Sequence, residues 1–381
     1  MRVLFLNSEY PPLGGGAGYA TQELFRQFRN EERITIDCIT AAIDNRYSTE
    51  QPFPNVTLYR VPIGDKRDSL HYQSQLNLFR YLLQGYLMAR SLVRKNTYDF
   101  VHAFFTVPAG IIAYSFRRQL PYIISLRGSD VPGYNKRFQF IYTIAKPLFV
   151  DIWKKATDVV ANSQSLADLA HKSMASLEIP VIPNGVDTEI FYPFSASTAE
   201  ENKKKVRILC VSRLIERKGI DILIKSFAEI QSSFPQTELE IVGDGNIRVE
   251  LEALTQALQL SKRVHFHGNM ERSELPEIYR QADIFVLPSH NEGMSNTVLE
   301  AMASGLPLII TNTGDAEALA SGNGIIIEKN NQTQLTAALT QLLRDAKLRQ
   351  TYASASRIKS LLYSWQQAAD EYKKMYQRML D

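Results

Sequence analysis

The feature that most restricts what this chain can fold into is an alternation carried along its whole length: short apolar runs of strand length, separated by longer stretches of helical period. In the first half the runs are residues 3–7, 34–40, 56–61, 100–105, 122–126, 159–162 and 181–182, with helix candidates at 19–29, 70–95, 138–155 and 165–176. Strands this apolar, with helices between them, belong in a parallel sheet buried on both faces. After the polar stretch FSASTAEENKKK, residues 194–205, the alternation restarts. Its second series has runs at 206–212, 239–242, 264–267, 284–287, 308–311 and 324–327, and helices at 221–234, 248–260, 272–281 and 296–304. The pattern predicts two doubly wound α/β domains facing each other across a cleft, with the chemistry on loops beyond the carboxyl ends of the strands. A length of 381 residues accommodates two domains of roughly 100–200 residues.

Composition narrows the function. With 45% hydrophobic and 22% charged residues, the balance is that of an ordinary globular protein. The 43 Lys and Arg against 40 Asp and Glu leave +3, which excludes a polybasic nucleic-acid wrapper and an acidic disordered tail. Cys38 and Cys210 stand far apart in apolar runs. They exclude a disulfide framework and a Cys-based zinc site, and read as buried thiols in a reducing compartment. The longest uncharged run, 100–116, contains His102, Thr106, Pro108 and Gly110. A bilayer span needs about 20 mostly apolar residues, so this run reads as a buried strand followed by a helix. Met1 leads into RVLFLNSEYPP without an apolar leader core, so no secretory signal is expected.

Charge is unevenly shared. Residues 1–190 hold 21 Lys and Arg against 17 Asp and Glu, or +4, and the remainder 22 against 23, or −1. Two basic, aromatic stretches carry much of the surplus. Residues 60–95 include Lys66, Arg67, Arg80, Arg90, Arg94 and Lys95 beside Tyr72, Phe79, Tyr81 and Tyr86; residues 134–155 include Lys136, Arg137, Lys146, Lys154 and Lys155 beside Phe138, Phe140, Tyr142 and Trp153. Such stretches suit an anionic membrane surface or a lipid-linked phosphate, or else form core helices with snorkelling cations.

Three loops have the chemistry to hold a phosphate and a sugar. The first strand ends in NSEYPPLGGGAGYATQEL, with Gly14, Gly15, Gly16 and Gly18 at a turn into a helix beginning near Ala17. Glycines there let backbone N–H groups approach an anion, or serve only a tight turn; neither a P-loop nor a dinucleotide fingerprint is present. The second domain opens with CVSRLIERKGIDILIKSF. Arg213 and Lys218, with Gly219 leading into a helix, suit a diphosphate whose charge grows as its ester bond breaks, or are solvated cations. The third segment is LPSHNEGMSNTVLEAMASGLPLI. Amides of Gly293 to Asn296 can face a phosphate at a helix end, and Glu292 and Glu300 can accept hydrogen bonds from different hydroxyls. The alternative, with Glu292 as a helix cap and Glu300 solvated, leaves Gly-Met-Ser-Asn at the turn unexplained.

These segments, with DFVHAFF at 99–105, IPNGVDTEIF at 182–191, IVGDG at 241–245 and VHFHGNM at 264–270, resemble the retaining glycosyltransferases of family 4, or group 1. The similarity spans nearly the whole chain, and the Glu-x7-Glu stretch is its most specific mark. It implies the α/β GT-B fold: two Rossmann-like doubly wound domains facing a central cleft, with a C-terminal helix crossing back to the first domain. An acceptor-binding domain is expected at 1–193 plus about 364–381, a linker at 194–205 and a donor-binding domain at 206–363. Trp365 would anchor the terminal helix.

The resemblance also implies roles. Arg213, Lys218 and Glu292 would be catalytic: the cations hold the leaving diphosphate, and Glu292 binds hydroxyls of the donor sugar. Gly293, Met294, Ser295, Asn296 and Thr297 would contact sugar and phosphate, and Glu300 would accept from the ribose hydroxyls. Asp244, Asn269 and Met270 complete the donor side, the last two along the base, and Gly15 and Gly16 would border the phosphate from the first domain. On the acceptor side stand Arg127, Asp130 and His102. Many members have His-Gly-x-Asp where this chain has Arg127-Gly128-Ser129-Asp130. Arg stays protonated and cannot be a base; it can bind an anionic group bidentately or pair with Asp130. His102 lies in the cleft region or is a core imidazole. Acceptor choice is expected from the loops at 11–18, 47–54 and 130–137.

The family implies retention of configuration by a front-face substitution in which the departing phosphate takes the acceptor proton. No metal and no cofactor are expected, the nucleotide-diphosphate sugar being a substrate. The partners implied are that donor and a saccharide or lipid-linked saccharide acceptor, in cell-surface polysaccharide, lipopolysaccharide or glycolipid synthesis, with no nucleic acid. The protein would be cytoplasmic, with peripheral contact at the inner face of the membrane. The alternatives are a nucleotide-sugar epimerase of the same architecture and a non-catalytic nucleotide-sugar-binding protein.

Overall fold

A computed structural model describes every residue except 68–69, 71–72, 135–138, 195–204 and 381. The expected linker therefore lies almost wholly outside the described residues. So do Tyr72, Lys136, Arg137 and Phe138 of the basic stretches and residues 135–137 of the expected acceptor loop at 130–137. The chain divides into unit 1, Met1–Asn184 with Trp365–Asp381, and unit 2, Gly185–Ser364.

Unit 1 contains β1 (Arg2–Leu6), α1 (Gly16–Phe28), β2 (Thr35–Ala41), β3 (Ser48–Phe53), β4 (Val56–Val61), α2 (Gln75–Lys95) and β5 (Phe100–Phe104). It continues with α3 (Ile111–Ser115), β6 (Tyr122–Leu126), α4 (Gln139–Lys155), β7 (Asp158–Ala161) and α5 (Gln164–His171). The sheet order is β3-β4-β2-β1-β5-β6-β7, parallel except for β3. The run at 100–116 is the expected buried strand followed by a short helix. Along β1, Leu4 and Leu6 pack into one apolar layer while Val3 and Phe5 pack into the other. A strand buried on both faces shows no polar alternation, which is why it reads as a continuous apolar run.

β3 corrects the expected acceptor loop at 47–54. STEQPF carries no strand signal, because its residues are exposed at the sheet edge. The strand exists because it pairs antiparallel with β4 and because Glu50 takes the buried Arg60 guanidinium at 2.7 Å.

Unit 2 contains β8 (Val206–Val211), α6 (Ile220–Ile230), β9 (Thr237–Val242), α7 (Arg248–Ala257), β10 (Val264–Gly268), α8 (Leu275–Gln281), β11 (Ile284–Leu287) and α9 (Asn296–Ala303). Then come β12 (Leu308–Thr311), α10 (Ala316–Ala320), β13 (Gly324–Ile327), α11 (Gln332–Arg344) and α12 (Ala346–Ser360). Its parallel sheet runs β10-β9-β8-β11-β12-β13. Ile208 and Cys210 face one apolar layer, Leu209 and Val211 the other. Both cysteines are free and buried; burial pushes the Cys210 thiol up to about 12.

Residues 185–193, expected with the first domain, belong to unit 2. Val186 and Phe191 are buried in its core, and the Val186 amide donates to Tyr363 O at 2.8 Å. The last helix, α13 (Trp365–Arg378), returns to unit 1 and buries Trp365, Ala368, Ala369, Tyr372, Met375 and Tyr376. Phe28 of α1 meets Tyr376 at 5.9 Å between ring centroids.

Candidate functional site

In unit 2 the chain winds outward from β8 through β9 to β10, and in the other direction from β11 through β12 to β13. The order reverses between β8 and β11, and loops diverging at such a switch point leave a crevice at the carboxyl ends of the two strands. The loop after β8 carries Arg213 and Lys218; the loop after β11 carries Glu292. Lys218 Nζ donates to Glu292 Oε1, and the two side chains are only 11% and 15% exposed. The two loops are also joined by one backbone and one side-chain bond: His290 N donates to Arg217 O at 2.8 Å, and Arg217 Nη1 to Asn291 O at 3.1 Å. Gly219, in the left-handed region at φ +65, has no room for a Cβ against Pro288 O and lets the loops close.

The charges follow this burial. Desolvation lowers the Lys218 ammonium against the pull of Glu292. Desolvation pushes the Glu292 carboxyl up, but the Lys218 charge and hydrogen bond, with Arg217, outweigh it and hold it below the usual carboxylate value. Lys218 is thus a buried cation with one fixed partner, not a solvated one, and Glu292 is bound to it rather than capping a helix. Arg213 is exposed on the same loop.

The other residues expected on the donor side stand on the loop after β11, on α9 and after β9 and β10. Ser295 precedes α9 without capping it through its side chain. Met294 is buried, while Gly293, Asn296 and Thr297 are half-buried. Gly314, at φ +58, supports the loop from below: a Cβ there would lie 2.6 Å from Glu292 O and 2.7 Å from Gly293 O. Glu300 is 2% exposed, which removes the solvated alternative. Its Oε1 accepts from Arg272 Nη1 at 2.7 Å and its Oε2 from Tyr279 Oη at 2.9 Å. Asp244 pairs with Arg248 at 3.0 Å, its carbonyl holding the amide of Leu214 beside Arg213 at 2.9 Å. Asn269 is exposed and Met270 half-buried after β10.

In unit 1 the strand order reverses between β1 and β5. The glycine loop after β1 does make the expected turn, with α1 starting at Gly16. The Gly15 amide, expected to face a phosphate, donates to Glu9 Oε2 at 2.9 Å. A carboxylate of the chain itself therefore takes up the positive helix end. Arg127 does not pair with Asp130 through its side chain. Its Nη1 donates to Asn184 Oδ1 at 3.1 Å, and its guanidinium lies 4.0 Å over the Phe104 ring. Asp130 is instead a loop staple: Oδ1 accepts from the amides of Arg127 and Gly128, and Oδ2 from that of Thr106 at 2.9 Å. Burial pushes its carboxyl up, with the four backbone donors pulling the other way.

His102 is the core imidazole of the two readings. It is fully buried, with Nδ1 2.6 Å from Tyr376 Oη and Nε2 2.8 Å from Ser125 Oγ. Burial, then the Arg127 charge, drives its pKa well below the ordinary value, so it is neutral.

Sequence reasoning missed Arg272, Tyr279 and Glu9, which reach their partners across 28, 21 and 6 positions. No motif announces them; Tyr279 could have been found only as a polar-tipped residue on the buried face of α8. Among the described residues, Glu238, Glu240 and His265 bring possible metal-ligand atoms within 4.8 Å of one another. They lie on β9 and β10 and share no residue with the loops above. A cavity of about 180 Å³ lined by Arg207, Glu240, His267, Ile278, Gln281 and Ala282 is likewise separate.

The fold is GT-B. Sucrose-phosphate synthase from Thermosynechococcus elongatus superposes with a TM-score of 0.84 at 21% identity, over 100% of this chain and 99% of that one. The model of glycosyl transferases group 1 matches residues 194–359, and that of glycosyltransferase family 4 matches residues 14–190. An uncharacterised glycosyltransferase of Methanocaldococcus jannaschii is 25% identical, covering 100% of this chain and 99% of that protein. A GDP-mannose-dependent monoacylated alpha-(1-6)-phosphatidylinositol monomannoside mannosyltransferase of Corynebacterium glutamicum is 32% identical over 46% of this chain and 50% of its own length. The chain belongs to the family 4, group 1 glycosyltransferases and transfers sugars. Relatives that are themselves transferases do not favour the epimerase or the non-catalytic binder.

Proposed function

We propose that this chain moves a sugar from a nucleoside-diphosphate sugar to a saccharide or lipid-linked saccharide hydroxyl, with retention of configuration and with no metal ion or other cofactor. The observation that carries the reading is the buried Lys218–Glu292 pair at the β8–β11 switch point. The acceptor oxygen attacks the anomeric carbon from the face the diphosphate leaves. The bond from that carbon to the phosphate oxygen breaks, and the departing diphosphate takes the acceptor proton. Lys218, Arg213 and the α9 amides offset the charge growing on the leaving oxygen. Glu292, fixed by Lys218, receives hydroxyls of the donor sugar, and Glu300 receives those of the ribose. Asn269 and Met270 lie along the base. A protein nucleophile is not needed, because orientation and charge stabilisation supply the rate.

The test is transfer from UDP- and GDP-sugars to saccharide acceptors, with the anomeric configuration of the early product read by NMR and the rate repeated in excess chelator. A retained configuration and an unchanged rate are expected. An inverted product overturns the mechanism, and a loss restored by a divalent ion overturns the metal-free part.

A peripheral membrane contact is supported by α2. No described helix is long and apolar enough to cross a membrane, yet α2 exposes Leu76 (55%), Phe79 (63%), Leu83 (51%) and Leu87 (48%). Arg80, Arg90 and Arg94 share that face by helical spacing, and the helix contains no acidic residue. Tyr81, Gly85, Ala89 and Leu92 point inward. An apolar stripe flanked only by cations fits the interface of an anionic bilayer. On this reading the protein works in the cytoplasm at the inner membrane face, in glycolipid or cell-surface polysaccharide synthesis.

A further inference from the structure

Glu300 is a buried carboxylate with one hydrogen-bond donor on each oxygen, and the donors come from outside its own helix. Arg272 Nη1 holds Oε1 at 2.7 Å, and Tyr279 Oη holds Oε2 at 2.9 Å. Tyr279 is itself fully buried, its ring edge-on to Phe191 at 5.6 Å and tilted against Phe285 at 6.0 Å. The Arg272 guanidinium lies 5.2 Å over the Phe191 ring, and its side chain remains 30% exposed. Phe191 therefore backs both groups that grip the carboxylate.

A carboxylate has about four acceptor positions, two on each oxygen. With one taken on each, one remains on each, and the plane of the group is held by two donors of different origin. That arrangement matches a vicinal diol, whose two hydroxyls can each donate to a different oxygen. We infer that Arg272 and Tyr279 are positioning residues that orient Glu300 for the two ribose hydroxyls of the donor nucleotide. The inference rests on the proposed reading of Glu300 as the ribose acceptor. It adds that the selectivity for a ribose over a deoxyribose is set by groups that never touch the nucleotide. Burial supports it, because an unpaired buried carboxylate is costly and the two donors leave neither oxygen without a partner.

Calorimetric titration of the full chain with UDP and GDP, and with their 2′- and 3′-deoxy analogues, tests it. Tyr279→Phe removes one hydroxyl and keeps the ring packing; Arg272→Lys and Arg272→Gln grade the other contact. Since one hydrogen bond contributes roughly 0.5–1.5 kcal/mol, Tyr279→Phe should weaken the ribonucleotide about two- to tenfold. The deoxy analogues, which keep only one of the two hydroxyls, should weaken less, so that the ratio between the two falls. Arg272→Gln should do the same and Arg272→Lys should restore part of the ratio. Thermal melts identify any variant that fails to fold, and in that case the remaining substitutions at Arg272 and Tyr279 decide the outcome. Equal weakening of ribo- and deoxynucleotides overturns the inference, as does an unchanged ratio. Glu300→Gln separates the two levels: if it lowers the ratio while the Arg272 and Tyr279 variants do not, the site reading stands and this inference falls. If Glu300→Gln leaves the ratio unchanged, or the wild type binds no nucleotide, the underlying reading fails too.

Discussion

Replacing Lys218 by alanine tests whether the switch-point pair is truly desolvated. The Lys218 and Glu292 side chains are 11% and 15% exposed, so removing the ammonium leaves a carboxylate buried without its partner. Breaking such a pair costs about 3–5 kcal/mol, against about 0–1 kcal/mol for a surface pair. The pH dependence gives the sign. In the wild type the Glu292 carboxyl is held below its ordinary value, with burial pushing up and Lys218 pulling down more strongly. The pair thus stabilises above the unfolded carboxylate pKa and loses that contribution as pH falls through the folded one. In Lys218→Ala the upward push of burial is opposed only by Arg217 and Ser289, so Glu292 takes up a proton at higher pH than in the wild type and relieves the strain. The gap between variant and wild type should be widest near neutrality and narrow as the pH falls toward about 4. The double variant Lys218→Met/Glu292→Gln should recover most of the lost stability, since no buried charge is left, while turnover stays down by about 10²-fold or more. Both tryptophans, Trp153 and Trp365, belong to unit 1, so the unfolding of unit 2 is best followed by hydrogen exchange of its strand amides. A cost under about 1 kcal/mol, or one independent of pH, would refute the reasoning.

Gly314→Ala combines a left-handed φ of +58 with a clash on the Glu292 and Gly293 carbonyls. It should destabilise by about 1–3 kcal/mol and weaken nucleotide binding. Gly322→Ala, at φ +81 with nothing within 4 Å, should cost stability alone; equal effects on binding would show that Gly314 does not support the loop. Tyr376→Phe leaves His102 Nδ1 without its partner and should cost about 1–3 kcal/mol in denaturant unfolding. Because burial and Arg127 keep His102 unprotonated in the folded chain, unit 1 should lose stability as pH falls below about 6.5, where the unfolded imidazole binds its proton. Flat stability between about pH 7 and 5 would contradict that assignment. Phe79→Glu/Leu83→Glu should abolish sedimentation with phosphatidylglycerol vesicles, and wild-type binding should weaken with salt and be absent with phosphatidylcholine; retention by the variant would remove α2 as the contact.

Most of the architecture could be read from local order. The run at 284–287 coincides with β11, and 308–311 with β12, because strands buried on both faces are apolar throughout and are punctuated by glycine and polar turns. The Glu292-to-Glu300 segment was legible for a similar reason: glycine, a strand end and a helix start are properties of neighbouring residues. Polar elements escaped. STEQPF forms β3 only through β4 and Arg60, and residues 185–193 join unit 2 through the burial of Val186 and Phe191.

The partners of the polar side chains were not written in any local pattern. A periodicity shows which face of an element is buried, since burial acts on each residue separately, but a hydrogen bond needs two groups that folding alone brings together. Arg127 shares a tight loop with Asp130 yet spends its guanidinium on Asn184 and Phe104. His102 finds Tyr376 across 274 positions, and Glu300 owes its two donors to α8 and the loop before it. The order of strands and the carriers of the chemistry follow from the residues in sequence. Which carboxylate is held, which histidine is sealed in and which amide is already taken follow from packing, because those outcomes depend on distances between segments that the linear pattern does not encode.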